Sequence, residues 1–533
     1  MARNKVMIAS EAAKLIRDGA VVTVSSSSAL GCPDAMLAAI GARFDAESHP
    51  SGLTMLHPIA AGDMWGVKGI DHIAKEGCVA RILGGSYPSG PSSAEPPAIW
   101  KMVTGDVIPA YNVPSGILFD MHREAAAKRP GVLTKVGMET FVDPRLEGCA
   151  MNAKARAEPI VSLVHFADDD WLYFPAIVPD VAIIRATTAD ENGNLSFEHE
   201  GGILGPLDQA LAARNNGGLV IAQVKRLAAA GSLRPHDVVV PGILVDVIVV
   251  APDQKQTTNT PYDPAISGEI SRPLSSFAAP AFDVSKVIAR RVAQELRDGD
   301  AVNIGFGISA NVPRILIEEG LHGSVTWVIE QGAVGGVPLL DFQFGCASNA
   351  EAIVPSPAQF TYFQGGGFDM SLLSFLQIDR AGCVNVSKLA LRPHVTAGAG
   401  GFVDITARAK KIVFSGFFTA GAGLAIENGA LKIAKEGKIK KLVDAVDQVT
   451  FSGPRALRQG QEILYVTERC VLRLEAEGLT VIEIAPGVDL ARDVLAQAEF
   501  ALRVSPALRV SDARLYHPAP IGLTLRAAKG LAR

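Results

Sequence analysis

Apolar and polar positions along this chain switch between a helical and an extended period, and the switches mark its elements. Ala13 to Ile16 belongs to an amphipathic helix stopped by Asp18-Gly19, after which come an apolar–polar strand, a turn, and a helix opened by Pro33. The same order returns downstream, with Ala293 to Arg297, the stop Asp298-Gly299, a strand, and Pro313. From Asp to Pro is 15 residues in both copies. A short apolar run, Val325 to Ile329, reads as a buried strand that delivers Glu330 into glycine-rich backbone. The most apolar region, Val238 to Ala251, is interrupted by Pro241, Gly242 and Asp246 and reads as two short strands. No apolar run approaches the roughly 20 residues that a membrane-crossing helix needs.

A second echo supports an internal repeat. Asp190-Glu191-Asn192-Gly193-Asn194-Leu195 and Asp379-Arg380-Ala381-Gly382-Cys383-Val384 share a tight turn into a strand. The two echoes are separated by 280 and 189 residues, so the first half holds an insertion of roughly 90 residues between its markers. This predicts an α/β protein of two homologous domains, residues 1–275 and 284–533, joined by a Pro- and Ser-rich linker from Tyr262 to Pro280. Strands alternating with helices imply mainly parallel sheets, with ligands at strand carboxyl ends and the active site at the domain interface.

Composition narrows the class. With 533 residues, 48% hydrophobic and 20% charged, the chain has material for large cores. A net charge of −5 argues against a nucleic-acid partner. The six cysteines (32, 78, 149, 346, 383 and 470) show no metal-ligand spacing and fit buried thiols in a reducing compartment. Met1 to Ile8 lacks the features of an export leader, so the expected location is cytoplasmic.

Glu330 is the first candidate for chemistry. A carboxylate at the end of a buried strand is costly unless it is paired or used, and glycines 332, 335 and 336 let a ligand approach the main chain. Structural and catalytic roles both remain open on spacing alone. Gly305-Phe306-Gly307 lacks the third glycine of a dinucleotide fingerprint and reads as a tight turn. Ser25 to Ser28 reads as a strand-end loop. His57, His72 and His165 are the histidines expected nearest a cleft, in structural roles.

Glu330-Gln331-Gly332 followed by Gly335-Gly336-Val337-Pro338, Phe344-Gly345 and Gly365-Gly366-Gly367-Phe368-Asp369 resembles the family I CoA-transferases, in the single-chain acetate and propionate branch. The resemblance runs nearly the full length, through Arg81-Ile82-Leu83-Gly84-Gly85, Ala110-Tyr111-Asn112-Val113-Pro114 and Tyr262-Asp263-Pro264 to Thr467-Glu468-Arg469-Cys470. It implies that Glu330 is a nucleophile that carries CoA as a γ-glutamyl thioester, with ping-pong kinetics and no metal or permanently bound cofactor. It implies that the Gly366 amide is an oxyanion donor, and that Gly365, Gly367, Asn349 and Lys388 contact the CoA ester. Lys388 reads equally well as a solvated lysine. The expected partners are acyl-CoA thioesters and short carboxylic acids, with neither nucleic acid nor membrane, and the expected assembly is a homodimer or homotetramer.

Three positions depart from the family pattern. Ser115 stands where a glutamine side chain usually supplies the second oxyanion donor, Gln331 where a small residue is usual, and the Ser25–Cys32 loop carries serines in place of glycines. If Ser115 donates to the oxyanion, directly or through water, Ser115→Ala should lower kcat and Ser115→Gln should retain activity. The same departure keeps two alternatives open, an acyl-CoA or C–C hydrolase and a non-catalytic CoA-ester-binding protein.

Overall fold

The computed structural model describes residues 5–63, 65–89, 96–390 and 392–527. Two large sheets organise them. The first runs in the order Val247–Val250, Leu219–Ala228, Val181–Asp190, Val21–Val24, Leu53–His57, Val79–Gly84, Ala110–Asn112, with every neighbouring pair parallel. Val181–Asp190 is buried at each of its positions, as a central strand covered on both faces must be, and its Val, Ile, Ala and Thr content suits that place. Its one cation, Arg185, is neutralised by Glu200 at 3.0 Å.

The second sheet has Ala301–Ile304 at its centre, with Thr326–Val328 on one side and Met370–Ser374, Lys411–Ser415 and Glu462–Val466 on the other, all parallel. Antiparallel strands extend both edges, and beyond them on one edge Arg503–Val510 pairs in parallel with Gly478–Ile484. The sequence repeat is therefore a topological repeat. In each half the first strand is flanked on one side by the next and on the other by a strand that arrives much later, which creates a switch point at its carboxyl end.

The stop signals behave alike in the two copies. Gly19 (φ +71°) and Gly299 (φ +79°) take the left-handed turn that Asp-Gly announces. Their amides donate to Ser51 O at 2.8 Å and Ser324 O at 2.7 Å, both at the entry of the next strand. The extra length of the first half lies in Val79–Gly84, Ala110–Asn112, the helix Ser115–Ala126 and a three-stranded antiparallel sheet of Gly131–Thr134, Asp169–Pro175 and Ser162–Phe166.

Three expectations change in detail. Val238 to Ala251 holds one strand, Val247–Val250, preceded by a single bridge at Val240 and a 3-10 turn at Gly242–Leu244. Pro241 has no amide for a ladder, and Asp246 turns its carboxylate to the Val220 amide at 3.0 Å. The strand before Glu330 is Thr326–Val328, because Ile329 already closes a turn by donating to Ala333 O at 2.9 Å. The segment 262–280 is a strap laid into the seam between the halves. Ile266 and Phe277 pack with Leu30, Leu204 and Cys346, and Arg272 pairs with Asp263 at 2.5 Å. No helix among the described residues is long and apolar enough to cross a membrane.

Candidate functional site

Glu330 sits at the tip of the turn that ends the Trp327-Val328-Ile329 run, whose three side chains are buried. Gly332 takes φ +114°, and a Cβ there would lie 1.9 Å from Val354 O, so the turn closes only with glycine. Glu330 Oε1 accepts a hydrogen bond from Gln331 Nε2 at 3.0 Å. The same Nε2 donates to Ser27 Oγ at 3.1 Å, in the loop that follows Val21–Val24 of the other half.

The second carboxylate oxygen faces Gly401. A Cβ on Gly401 would stand 2.4 Å from Glu330 Oε2, and the Gly401 N–H hydrogen-bonds the carboxylate. Burial pushes the Glu330 carboxyl up to about 7, against the downward pull of the Gln331 amide and the Gly401 N–H. A group so placed is half ionised near neutrality, basic enough to attack and in need of no cation.

Gly401 arrives from a glycine-rich loop, residues 396–401, that is zipped onto the first half. Tyr87 N donates to Ala397 O at 2.7 Å, Gly400 N to Gly85 O at 2.7 Å, and Ser115 N to Gly400 O at 3.0 Å. Asn112 completes the clamp, accepting from Ala399 N at 2.8 Å and donating to Gly85 O at 2.6 Å. One turn beyond Gly401, on the helix Phe402–Thr406, the fully buried Asp404 accepts from Gly116 N and from Gln364 Nε2, both at 3.0 Å. Burial pushes Asp404 up to about 7 as well, and the neighbouring Asp120 and Glu330 carboxylates add to the shift. The site is thus built across the seam, with the nucleophile candidate from one half and its backbone clamp fastened to the other.

The glycine triplet has a different place from the one the sequence suggested. Gly366 N donates to Phe363 O at 2.9 Å and Gly367 N to Tyr362 O at 3.1 Å, with Gly366 at φ +73°. That is a Schellman cap on the helix Ser356–Gln364, and Gly365 N donates to Thr361 O at 3.0 Å. All three amides are engaged, so Gly366 is a helix stop and not an oxyanion donor, and Gly365 and Gly367 share that role. Asn349 is likewise committed. Its side chain accepts from Arg272 N at 2.7 Å and donates to Arg272 O at 2.8 Å, stapling the strap.

Ser115 is brought to the site through its backbone, which holds Gly400. It is completely buried at the start of its helix. Its amide holds Gly400, while its hydroxyl has no hydrogen-bond partner among the described residues and lies against Gly85. Lys388 is half-buried and pairs with Glu147 at 3.4 Å. It lines a cavity of about 250 Å³ between the halves with Trp100, Asn112 and Phe141.

None of the three singled-out histidines is hydrogen-bonded to Glu330. His57 is buried beside Tyr87 and pushed down to about 4 by burial. His72 pairs with Asp34, and exposed His165 with Asp170. Gly305 to Gly307 forms the expected turn, with Gly307 at φ +118°. Among the described residues no cluster of three or more His, Cys, Asp or Glu could hold a metal ion.

The sequence pattern did not point to Gly401, Asp404 or Gln364, and it placed Ser27 only in a strand-end loop. A signal existed for the first, since Gly398-Ala399-Gly400-Gly401 opens a helix. Nothing local links it to Glu330.

Comparison with known proteins gives a consistent picture. The family model described as Coenzyme A transferase matches residues 5–251. Caffeate CoA-transferase of Acetobacterium woodii is 43% identical over 522 residues, 96% of this chain and 97% of that protein. Acetate CoA-transferase YdiF of Escherichia coli (strain K12) is 37% identical over 527 residues, 98% and 97% of the two chains. Crystal structures of acyl-CoA transferase YdiF from Escherichia coli O157:H7 superpose over 99% of both chains, with a TM-score of 0.92 for the apoenzyme (37% identity) and 0.91 for a thioester complex with CoA (36%).

Proposed function

The chain belongs to the CoA-transferases, as a single-chain family I member, and from that premise we propose that Glu330 is the nucleophile of a ping-pong CoA transfer between carboxylic acids. The observation that carries this reading is the contact of the Glu330 carboxylate, raised to about 7, with the Gly401 N–H.

A Glu330 oxygen attacks the thioester carbonyl. A C–O bond forms, the C–S bond breaks, and CoA leaves as thiolate from a mixed anhydride. The thiolate then attacks the γ-carbonyl of Glu330, forming the glutamyl thioester and releasing the donor acid as carboxylate. The acceptor acid runs the same steps in reverse. A carboxylate nucleophile suits this exchange because an anhydride keeps thioester-level energy that hydrolysis would discard. The Gly401 N–H is aimed at the γ-carboxyl and serves the oxyanion on that carbon. Losing such a donor costs about 10²–10³ in rate.

The substrates in this reading are short acids of the acetate and propionate type. An aromatic propenoic acid is the second reading, supported by the caffeate CoA-transferase relative. A dimer or tetramer acting in the cytoplasm belongs to the same proposal. Incubation with acetyl-CoA, digestion and mass spectrometry should map a CoA adduct to Glu330, and a panel of C2–C6 and aromatic acceptor acids separates the two substrate readings. Full transferase activity in Glu330→Ala would end the proposal. Rapid CoA release without an acceptor acid would replace it with a hydrolase.

A further inference from the structure

Two carboxylates meet at this site, half-buried Glu330 and fully buried Asp404, and the chemistry above uses one. Asp404 has no exposed surface. Its Oδ2 receives the Gly116 amide and its Oδ1 the Gln364 side chain, so both oxygens are occupied by N–H donors. A Cβ at position 116 would lie 2.4 Å from Asp404 Oδ1, so the approach needs glycine there. Gln364 Nε2 also reaches Asp120 Oδ2 at 3.3 Å, and Asp120 is paired with Arg123. The result is a buried ladder that joins the helix Phe402–Thr406 to the helices Ser115–Ala126 and Ser356–Gln364. Its inner end lies three residues from Gly401.

We propose that Asp404 is a positioning residue for Glu330, holding the Gly401 amide on the nucleophile by tying the Phe402–Thr406 helix to the first turn of the Ser115–Ala126 helix. The inference rests on Glu330 being the nucleophile. Burying a carboxylate costs stability unless its oxygens are satisfied, and here they are satisfied by groups from two other helices. The short Phe402–Thr406 helix also packs Val403 into a cluster with first-half residues such as Tyr111 and Ile117, but its polar ties to the first half are this ladder and the Ala399–Gly401 clamp. A displacement of about 1 Å at a reacting centre can cost 10²-fold in rate.

The arrangement has an electrostatic consequence. The charged groups facing Asp404 are Glu330 on the nucleophile's turn and Asp120 on the Ser115–Ala126 helix, the latter backed by Arg123. The helix Ser356–Gln364 carries no charged residue and presents the Gln364 amide. The Glu330 and Asp404 carboxyls are therefore coupled, and the charge of one disfavours ionisation of the other.

The test compares Asp404→Ala and Asp404→Asn in the full chain, with steady-state kinetics across pH. Asp404→Ala should lower kcat about 10²-fold with KM within about 3-fold. Asp404→Asn keeps an acceptor for the Gly116 N–H and should recover at least about 10-fold of that loss. Its acid limb of kcat/KM should move to lower pH, by about 0.5, because Glu330 loses a carboxyl coupled to its own. A merely structural Asp404 would lower the melting temperature and activity at every pH without moving the limb, and that result overturns the proposal. So does a kcat within 2-fold of the parent in the alanine variant. If Asp404→Ala fails to fold, the pH profile of the asparagine variant decides alone. Absence of a CoA adduct on Glu330 in the parent enzyme would instead be the failure of the nucleophile reading.

Discussion

Gln331 Nε2 lies 3.1 Å from Ser27 Oγ and in the same position donates to the Glu330 carboxylate. One amide nitrogen therefore joins the nucleophile's turn to the strand-end loop of the opposite half. This explains how a glutamine is accommodated where a small residue was expected. The bond to Gln331 also draws the Glu330 carboxyl down from where burial alone would put it.

Removing that amide should push Glu330 up further. In Gln331→Ala the acid limb of kcat/KM should move to higher pH, the opposite direction to that expected for Asp404→Asn, and kcat/KM at pH 7 should fall about 10-fold. The pH profiles of the two variants, measured side by side, check both signs at once. A Gln331→Ala limb that stays in place would show that the hydrogen bond does not tune the nucleophile.

Burial of Glu330 should also be visible as a stability that depends on pH. Its carboxyl is raised from 4.5 to about 7, so the folded protein binds this proton more tightly than the unfolded chain. The contribution is complete below about 4.5 and is lost as pH rises through about 7. At pH 8 the buried charge costs on the order of 3 kcal/mol. Glu330→Gln should therefore raise the melting temperature at pH 8 and change it little at pH 5. An equal change at both pH values would remove burial as the cause.

Gly401 has an ordinary backbone conformation, φ −86°, so its lack of a side chain is a matter of space. An added Cβ would meet Glu330 Oε2 at 2.4 Å and the Phe360 ring at 2.6 Å. Gly401→Ala should displace the loop, lower kcat about 10²-fold or more and cost about 1–3 kcal/mol of stability. Thermal denaturation with initial-rate kinetics separates these effects, and a fully active Gly401→Ala would contradict the close approach.

For Ser115 the structure reverses the direction expected from the family pattern. Its hydroxyl is buried against Gly85, without a hydrogen-bond partner among the described residues. Ser115→Ala removes an unsatisfied polar group and keeps the amide that holds Gly400, so kcat should stay within about 2-fold and stability should rise by about 0–1 kcal/mol. Ser115→Gln should overpack against Gly85 and lose stability by about 1–3 kcal/mol. Steady-state rates on acetyl-CoA and melting temperatures of the three forms check this. A large fall in kcat for the alanine variant would restore the oxyanion role.

Much of the fold was legible because the relevant signals are local. Asp18-Gly19 and Asp298-Gly299 state a left-handed turn wherever they occur, and Pro33 and Pro313 state a helix start, so the repeat could be read before any packing was known. The turn at Glu330 was legible for the same reason, since its glycines are demanded by dihedral angles and by the near contact at Gly332. The glycine triplet at 365–367 shows the limit of such reading. An identical sequence serves as a helix cap or as a ring of free amides, and the difference lies in which carbonyls its N–H groups meet.

By itself, the sequence determined the two α/β halves, the family, and the strand end that carries Glu330, because each is encoded in residues that are neighbours along the chain. The tertiary structure alone decided how the site around Glu330 is assembled. Gly401, Asp404 and Gln364 come from separate segments of the second half, and Ser27, Asn112, Ser115 and Gly116 from the first. Their contacts exist only after two sheets have packed and the Ala397–Gly401 backbone has found Gly85 and Tyr87 as partners. Whether a buried carboxylate is paired, and by which amide, depends on distances between residues remote in sequence, and local pattern carries no information about them.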